Sequence, residues 1–329
     1  MIPQTKKSHL TQIALALTLL VGTFSVFSIT FGLDKNEKIA FYSERQDQLI
    51  HQEQTRERFD LNSFFSFKKE VIKEEIVEPR YILQQLQQLG KINAQSFLVG
   101  DLDTAEVIFE RQPNRIYPIA SVTKYVTAYT AAEYLGSTEL ATISRSELVV
   151  EGNRARFKVD DILSIRELLY PLLLVSSNDA AEVIAQQRDR AAFISAMNST
   201  AKRLGMDDTH FDDPSGLSYN NVSTARDLFT MMRETRDIYP QIIDISRLSF
   251  KEIRGYAWKN INKASTFPEF RGGKTGYTNA ARQTSIGYYQ IKLANDQVKN
   301  IAVVILQSGT RQQDTRNILD YLKRYVAYL

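Results

Sequence analysis

Serine and lysine residues at a fixed spacing are the groups of this sequence best suited to chemistry. In a helix, residues three apart lie on one face, so a lysine there can reach the serine hydroxyl. A lysine acts as a base when burial or a nearby cation lowers its pKa from about 10.4 towards neutrality. Three segments have this Ser-x-x-Lys pattern: Ser66 with Lys69, Ser121 with Lys124, and Ser199 with Lys202.

Residues for other nucleophilic mechanisms are scarce. The chain has no cysteine, which excludes disulfides, thiolate nucleophiles and zinc-thiolate sites. It has 3 histidines, of which His9 lies in the predicted N-terminal tail and His51 in the predicted charged stem. His210 stands in a polar stretch, so a surface-loop role is favoured over a Ser-His-Asp triad. Lysine is therefore the preferred candidate base.

Sequence context distinguishes Ser121 from the other two serines. Ser66 lies in a charged segment, and Ser199 lies inside a predicted helix. Ser121 follows a Pro-Ile-Ala stretch and starts a predicted helix over 121–135, whose unpaired backbone N–H groups favour negative charge. A helix N-cap is the alternative role for this serine.

Two further motifs complete the set. Ser176-Ser177-Asn178 and Ser218-Tyr219-Asn220 are both Ser-x-Asn triplets, and Lys274-Thr275-Gly276 is the one Lys-Thr-Gly. The second Ser-x-Asn triplet follows a polar Pro-Ser-Gly turn and is predicted to be loop. Ser121, Ser176 and Lys274 are far enough apart in sequence for three different elements to meet at one cleft.

This ordered set resembles the signature of penicillin-binding proteins and class A β-lactamases. The neighbouring residues resemble more narrowly the low-molecular-weight D-Ala-D-Ala carboxypeptidases, over about residues 93–325. The segments that carry the resemblance are Asp101–Thr104, Tyr117–Lys124, Ser176–Ala181, Asp213–Leu217 and Gly272–Thr278. The resemblance implies a β-lactamase/transpeptidase-like α/β (α+β) fold, with an antiparallel sheet flanked by helices and an all-helical lobe.

The resemblance also implies roles for the first two motifs. Ser121 would attack the D-Ala-D-Ala carbonyl and form a covalent acyl-enzyme, and Lys124 would take its proton. Ser176 would relay a proton to the leaving amine, and Asn178 would bond the peptide backbone. The implied partners are peptidoglycan stem peptides, with β-lactam antibiotics as inhibitors and no cofactor or metal.

The third motif would bind substrate. By the same resemblance, Lys274 and Thr275 would hold the terminal carboxylate, with Gly276 beside them. The backbone N–H groups of Ser121 and Tyr277 would form an oxyanion hole. Lys274 is also expected to lower the pKa of Lys124 through like-charge repulsion.

Two residues depart from expectation, and three rival functions stay open. Arg282 stands where the family usually has glycine, and Pro171 should kink or split the predicted helix 164–174.

A class A β-lactamase would need a Glu-x-x-Leu-Asn loop, which is missing between Asn178 and Lys274. The motifs do not separate a carboxypeptidase from a D,D-endopeptidase that cuts cross-links. A β-lactam or peptidoglycan sensor without turnover is the third alternative.

Periodicity predicts the elements that position these residues. Residues 96–99 and 106–109 form a predicted hairpin, and 284–291 and 300–307 are predicted strands. Predicted helices cover 121–135, 164–174, 178–187, 190–204, 224–235 and 312–327. The predicted strands lie at the two ends of residues 81–329, and most of the predicted helices lie between them in sequence. This order suggests that the body formed by these residues has one sheet, a helical lobe and a cleft between them.

The N-terminal part is predicted to anchor this body to a membrane. Residues 10–33 carry no charge and would span about 36 Å as a helix, enough for one transmembrane segment. Lys6 and Lys7 precede it, which favours a cytoplasmic tail over 1–9 and an extracytoplasmic body. No Ala-x-Ala cleavage pattern follows, so an uncleaved anchor is preferred to a signal peptide. Residues 34–80 are predicted to form a charged stem, and residues 81–329 are predicted to form the catalytic domain.

The overall charge argues against a nucleic-acid partner. The chain has 41 basic and 38 acidic residues, for a formal net charge of +3. Neither sign forms a long block that would follow a phosphate backbone.

Overall fold

Strands from both ends of the body enclose a helical middle. The computed structural model describes residues 80–84, 89–152 and 154–329. Its strands are β1 Tyr81–Leu83, β2 Ser96–Asp101, β3 Val107–Arg111, β4 Tyr117–Pro118, β5 Leu140–Thr142, β6 Ile162–Ser164, β7 Val222–Ser223, β8 Phe250–Ile253, β9 Tyr256–Lys259, β10 Phe270–Thr278, β11 Arg282–Lys292, β12 Val298–Ser308 and β13 Val326–Tyr328. Its α-helices are α1 Thr123–Tyr134, α2 Arg145–Leu148, α3 Ile165–Leu174, α4 Asn178–Gln186, α5 Arg190–Arg203, α6 Ala225–Ile238, α7 Pro240–Arg247 and α8 Arg311–Tyr325.

The central sheet has the strand order β10-β11-β12-β2-β3, and every neighbouring pair is antiparallel. Strand β12 joins the two ends of the body, since Ile305 pairs with Phe97 of β2 and with Ser285 of β11. The predicted hairpin at 96–109 is β2 and β3. The prediction that both ends build one sheet is therefore confirmed.

Alternating side chains of the sheet enter two apolar clusters. Leu98 and Val304 belong to the cluster formed with the helices of the middle segment. Val99 and Val303, their neighbours in sequence, belong to the cluster that includes the apolar residues of α8. Successive residues of a strand point to opposite faces, and burying each such side chain contributes about 1.5–3 kcal/mol. Both faces of the sheet are thus covered, which fixes its register.

The predicted helices form the helical middle and α8. Ser164 and Glu167 form a reciprocal capping box at the start of α3. Thr224 accepts a hydrogen bond from the Asp227 backbone at the start of α6. Pro171 does not split α3, which continues to Leu174. Proline removes one hydrogen bond and crowds the preceding turn, and only three residues of the helix follow it.

Strand β10 carries Lys274 and is absent from the predicted elements. Its Gly272-Gly273 pair has low strand propensity and no side chain to show an alternating pattern. A Cβ on Gly273 would lie 2.2 Å from the Ile286 carbonyl oxygen of β11. Glycine therefore permits the close pairing of β10 with β11, and this tertiary contact makes the segment a strand.

The predicted membrane anchor over 10–33 and the tail before it lie outside the described residues, as does the stem up to residue 79. Among the residues that are described, no helix is both long and apolar enough to cross a bilayer.

Candidate active site

Ser121 lies in a short 3-10 turn, Ala120–Val122, immediately before α1. The residue at the cap position of α1 is Val122, and the one before the 3-10 turn is Ile119. The Ser121 hydroxyl therefore caps neither element. It accepts a hydrogen bond from Lys124 Nζ at 3.1 Å, as the spacing of the two residues on one helical face predicts.

Lys124 is fully buried, with 0% of its surface exposed. Its ammonium also donates to Asn178 Oδ1 and to the backbone carbonyl of Ser215. Burial is the main cause that lowers the pKa of Lys124 to about 7, and the Arg154 guanidinium acts in the same direction. The carboxylate of Asp213 opposes the shift. Near neutral pH, a large share of this lysine is therefore an uncharged amine able to accept a proton.

Ser176 and Asn178 reach the site from the helical lobe, just before and at the start of α4. Asn178 Oδ1 faces Lys124, and its Nδ2 donates to the Glu151 carbonyl at 2.6 Å. Ser176 has φ +59, in the left-handed region that non-glycine residues rarely occupy. Ala120, which precedes Ser121, has φ +50. Such backbone conformations cost about 1–3 kcal/mol each and cluster at functional sites.

Lys274 closes the arrangement from β10. Its Nζ donates to Ser176 Oγ at 2.8 Å and to the backbone carbonyl of Thr275 at 2.7 Å. Burial lowers the pKa of Lys274 well below its usual range, and repulsion from Lys124 adds to the shift. Lys274 was expected to lower the pKa of Lys124 by like-charge repulsion. That expectation needs correction, since burial and not Lys274 is the main cause of the low pKa of Lys124. A lysine that readily loses its own proton exerts little repulsion on its neighbour.

The rest of the Lys-Thr-Gly motif borders a cleft above these groups. Thr275 and Tyr277 line the cleft together with Ser121, Ser176 and Asn178. The structure thus brings all the predicted site residues to one place.

Gly276 lets β10 approach the turn that holds Ser121. A Cβ there would lie 2.7 Å from the Ile119 carbonyl and 2.8 Å from the Ser121 nitrogen. Gly216 approaches the same turn from another side, where a Cβ would lie 2.0 Å from the Ala120 carbonyl. Two glycines therefore fit the chain closely around the backbone N–H of Ser121.

Arg311 is a cleft residue that the sequence motifs do not reveal. It begins α8 and lines the cleft beside Thr275 and Tyr277. Its Nη1 donates to the Gly276 carbonyl at 2.6 Å. It belongs to no sequence motif, and only the packing of α8 against β11 and β12 brings its side chain to Gly276 of β10. Arg311 adds a fixed positive charge to the side of the cleft that holds Lys274.

Asp213 organises the loop that contacts Lys124. Its Oδ1 accepts hydrogen bonds from the Ser215 backbone at 2.6 Å, the Ser215 hydroxyl at 2.7 Å and the Gly216 backbone at 2.7 Å. Its Oδ2 accepts from the Ser218 backbone at 2.6 Å. The loop presents the Ser215 carbonyl to Lys124. The segment resembled the family, but only the structure assigns the carboxylate this role.

The alternative motifs occupy other places. Ser199 and Lys202 lie on exposed positions of α5. Asn220 and Ser218 bond the exposed Asp212 in a surface turn, as predicted for that triplet. His210 is exposed and also pairs with Asp212 at 2.9 Å. Ser66 and Lys69 lie outside the described residues. No group of three histidine or acidic side chains within the described ranges could hold a metal ion.

The conformation of Arg282 explains why glycine is usual at that position. Arg282 has φ +52 and pairs with Thr278 across a tight turn between β10 and β11. Short hairpin loops often end in a left-handed residue, for which glycine has no steric penalty.

We expect the Arg282→Gly protein to be about 1 kcal/mol more stable than the Arg282→Ala protein, because only alanine keeps the left-handed strain. Both variants lose the same arginine side chain, so the difference between their free energies of unfolding isolates the cost of the left-handed backbone conformation. Urea unfolding measures it, and an alanine variant as stable as the glycine variant would contradict the explanation.

Comparisons with known proteins agree with this geometry. The model of peptidase family S11, D-alanyl-D-alanine carboxypeptidase, matches residues 83–309. A D-alanyl-D-alanine endopeptidase of Pseudomonas aeruginosa is 35% identical over 201 residues, which are 56% of this chain and 64% of that protein. The match therefore spans less than two thirds of that relative.

Solved structures support the fold. The D-alanyl-D-alanine carboxypeptidase of Mycobacterium tuberculosis superposes with a TM-score of 0.67 and 28% identity, covering 71% of this chain and 92% of that one. Penicillin-binding protein D2 of Listeria monocytogenes, in a cefotaxime-bound form, gives 0.62 and 25%, covering 70% and 96%. The expected penicillin-binding fold of sheet and helical lobe is confirmed. The chain belongs to peptidase family S11, the D-alanyl-D-alanine carboxypeptidases.

Proposed function

We propose that this protein is a serine D-alanyl-D-alanine carboxypeptidase that removes the terminal D-Ala from peptidoglycan stem peptides. One constellation carries the proposal: Ser121, Lys124 and Asn178 are hydrogen-bonded in series, and Ser176, which lines the same cleft as Ser121, accepts a hydrogen bond from the buried Lys274. This constellation supplies a nucleophile, a base with a pKa near 7 and a second proton path. Family membership and the carboxypeptidase and endopeptidase relatives support it.

Acylation begins at Ser121. Neutral Lys124 takes the hydroxyl proton as Oγ attacks the carbonyl carbon of the penultimate D-Ala. The oxyanion that forms lies against the backbone N–H groups of Ser121 and Tyr277, and each donor contributes about 3–4 kcal/mol. The glycine contacts around Ser121 hold its N–H in place before the reaction, which is what such stabilisation requires.

Two cations hold the carboxylate of the leaving D-Ala. Lys274 belongs to β10, and Arg311 donates to the Gly276 carbonyl of the same strand and lines the cleft with Thr275. Burial lowers the pKa of Lys274, and a bound carboxylate raises it again by pairing with the ammonium. Substrate binding therefore favours the protonated lysine that then holds the carboxylate.

Departure of D-alanine needs a proton on its nitrogen. Ser176 is hydrogen-bonded to Lys274 and lines the cleft, so its hydroxyl passes a proton to the amine as the C–N bond breaks. Asn178 bonds the peptide backbone of the acyl part. Ser176 regains its proton from Lys124, which returns to the neutral amine. Water then attacks the Ser121 ester, with Lys124 again as base; the Oγ–carbon bond breaks, the proton returns to the Ser121 oxygen, and the shortened peptide is released.

Penicillin tests the site directly. A β-lactam acylates such a serine while its leaving group stays tethered, so the adduct persists. The cefotaxime-bound relative supports this expectation. We expect one equivalent of penicillin in the intact mass, peptide mapping to Ser121, and no adduct on a folded Ser121→Ala protein. Ser199→Ala, from the exposed copy of the motif, is the matched control and should label normally.

Adduct at Ser66 or Ser199 would contradict the site. Labelling of Ser121 without D-alanine release from a pentapeptide would contradict the carboxypeptidase activity and favour an endopeptidase or a sensor.

We also propose that residues 10–33 anchor the protein in the membrane, with residues 1–9 in the cytoplasm and the catalytic domain outside it. The uncharged run and the preceding lysines support this orientation. Deleting residues 1–33 should therefore release a folded protein that still binds penicillin and stays in the supernatant after ultracentrifugation. A truncated protein that pellets wholly with membranes would contradict the anchor.

A further inference from the structure

Two oppositely charged side chains line the cleft on the side of the helical lobe. Glu151 and Arg154 belong to the segment between α2 and β6, and they border the same cleft as Ser121 and Asn178. Both are exposed. Among the residues that the structure describes, neither one forms an ion pair. The two charges are therefore available to a ligand in the cleft.

The backbone of this segment is hydrogen-bonded to the start of α4. Asn178 Nδ2 donates to the Glu151 carbonyl at 2.6 Å, and the Asn178 backbone N–H donates to the Gly152 carbonyl at 3.2 Å. The Arg154 backbone N–H donates to Oδ1 of the buried Asp179 at 3.4 Å. Gly152 has φ +77, and a Cβ there would lie 2.6 Å from Asn178 Nδ2, so glycine permits the close contact. Both charged residues are thus held beside Asn178.

The guanidinium of Arg154 is directed towards the reacting groups. Its charge lowers the pKa of Lys124 and that of Lys274, although burial is the main cause of both shifts. Charge effects weaken with distance, so a guanidinium that acts on both lysines lies near the floor of the cleft. A planar guanidinium can bind a carboxylate through two parallel hydrogen bonds. Arg154 is therefore placed to bind a carboxylate of a substrate in the cleft.

The place of the two charges fixes which part of a substrate meets them. This step rests on the proposed function, in which Lys274 and Arg311 hold the leaving D-Ala and Asn178 bonds the backbone of the acyl part. Because Glu151 and Arg154 are seated on Asn178, they face the acyl part, which precedes the scissile bond. In a stem peptide this part contains a diamino acid, whose side chain ends either in an ammonium alone or in an ammonium and a carboxylate.

We propose that Glu151 and Arg154 form a specificity subsite for an acyl-part side chain that ends in both an ammonium and a carboxylate. Arg154 binds the carboxylate, and Glu151 binds the ammonium. Two opposite charges that are not paired with each other suit such a zwitterionic group, because the ligand complements both at once. The protein therefore prefers stem peptides whose diamino acid is also a dicarboxylic acid over peptides that have lysine at the same place.

Three pentapeptides that differ only in the residue before the D-Ala pair test this subsite. They carry norleucine, lysine, or a diamino dicarboxylic acid, so the terminal carboxylate is common to all three. In the full chain, Arg154→Gln should lower kcat/KM for D-alanine release from the dicarboxylic peptide about tenfold or more relative to the lysine peptide. Glu151→Gln should lower the value for the lysine peptide relative to the norleucine peptide. These ratios cancel any change in the pKa of Lys124, which affects all three peptides alike.

Arg156→Gln is the matched control, because Arg156 is an exposed arginine of the same segment and lies outside the residues that line the cleft. It should leave all the ratios unchanged. Arg154→Lys keeps the charge and should recover part of the preference lost in Arg154→Gln, with an unchanged melting temperature. A wild-type protein that does not prefer the dicarboxylic peptide, or an Arg154→Gln protein that keeps this preference, would overturn the subsite. Absence of a penicillin adduct at Ser121, or D-alanine release from none of the peptides, would instead overturn the proposed function on which the subsite rests.

Discussion

Replacing Lys124 with arginine should leave a folded protein that acylates Ser121 at least about 100-fold more slowly, within the range of 10²–10⁴ that a general base contributes. Arginine keeps the positive charge but cannot give up its proton near neutral pH. Lys124→Ala should lose a similar factor, because it also lacks a base. The rate of penicillin adduct formation, followed by intact mass, measures both losses.

Folding of these variants must be separated from chemistry. Lys124 is fully buried, and a larger guanidinium there could strain the core by about 1–3 kcal/mol. Lys124→Met offers a similar shape with no charge to bury, and it should be at least as stable as wild type while acylating no better than Lys124→Ala. Lys202→Arg, in the exposed Ser-x-x-Lys copy, is the matched control. Rapid acylation by folded Lys124→Arg would disprove the base role.

The strands and helices with strong periodicity are predictable from the sequence. Ser164 and Glu167 mark the start of α3 by a local capping interaction, so no tertiary information is needed. The continuous apolar run of β12, residues 301–306, likewise predicts a strand without tertiary information. Strand β10 cannot be predicted from the sequence in this way, because its glycines have no side chains to give an alternating hydrophobic pattern. Its strand conformation depends on pairing with β11.

The same distinction applies to the site. Ser121, Ser176 and Lys274 are found because each sits in a short motif whose order is specific. Arg311 is not found, because it reaches the cleft only through the packing of α8 beside the sheet. The left-handed backbone conformations of Ser176 and Ala120 also cannot be predicted from the sequence, since they follow from the surrounding contacts and not from local propensity.

The pH dependence of acylation reports on Lys124 in the intact protein. The neutral amine is the active form, and its pKa of about 7 means that the neutral fraction grows as pH rises through that value. The acylation rate of wild type should therefore increase with pH, with a midpoint near 7, until it levels off. A rate that stays constant between pH 6 and pH 8 would contradict a titrating base.

Asp213→Asn should move that midpoint to lower pH and weaken the fold. The Asp213 carboxylate favours the charged form of Lys124, so its removal lowers the pKa of the lysine further. The amide nitrogen of asparagine cannot replace Oδ2 as acceptor for the Ser218 backbone. Leaving that donor unpaired and losing the charged acceptor should cost about 2–3 kcal/mol in the free energy of unfolding.

The shift of the midpoint separates an electrostatic role of Asp213 from a purely structural one. A loop that is merely loosened would lower the acylation rate at every pH and leave the midpoint near 7. Asp212→Asn is the matched control, because it makes the same chemical change one residue away on an exposed side chain, and it should keep the wild-type profile. Stopped-flow acylation by a chromogenic β-lactam, measured from pH 5 to pH 9, distinguishes these outcomes. An unshifted midpoint in Asp213→Asn would show that its carboxylate positions the Ser215 carbonyl without tuning the base.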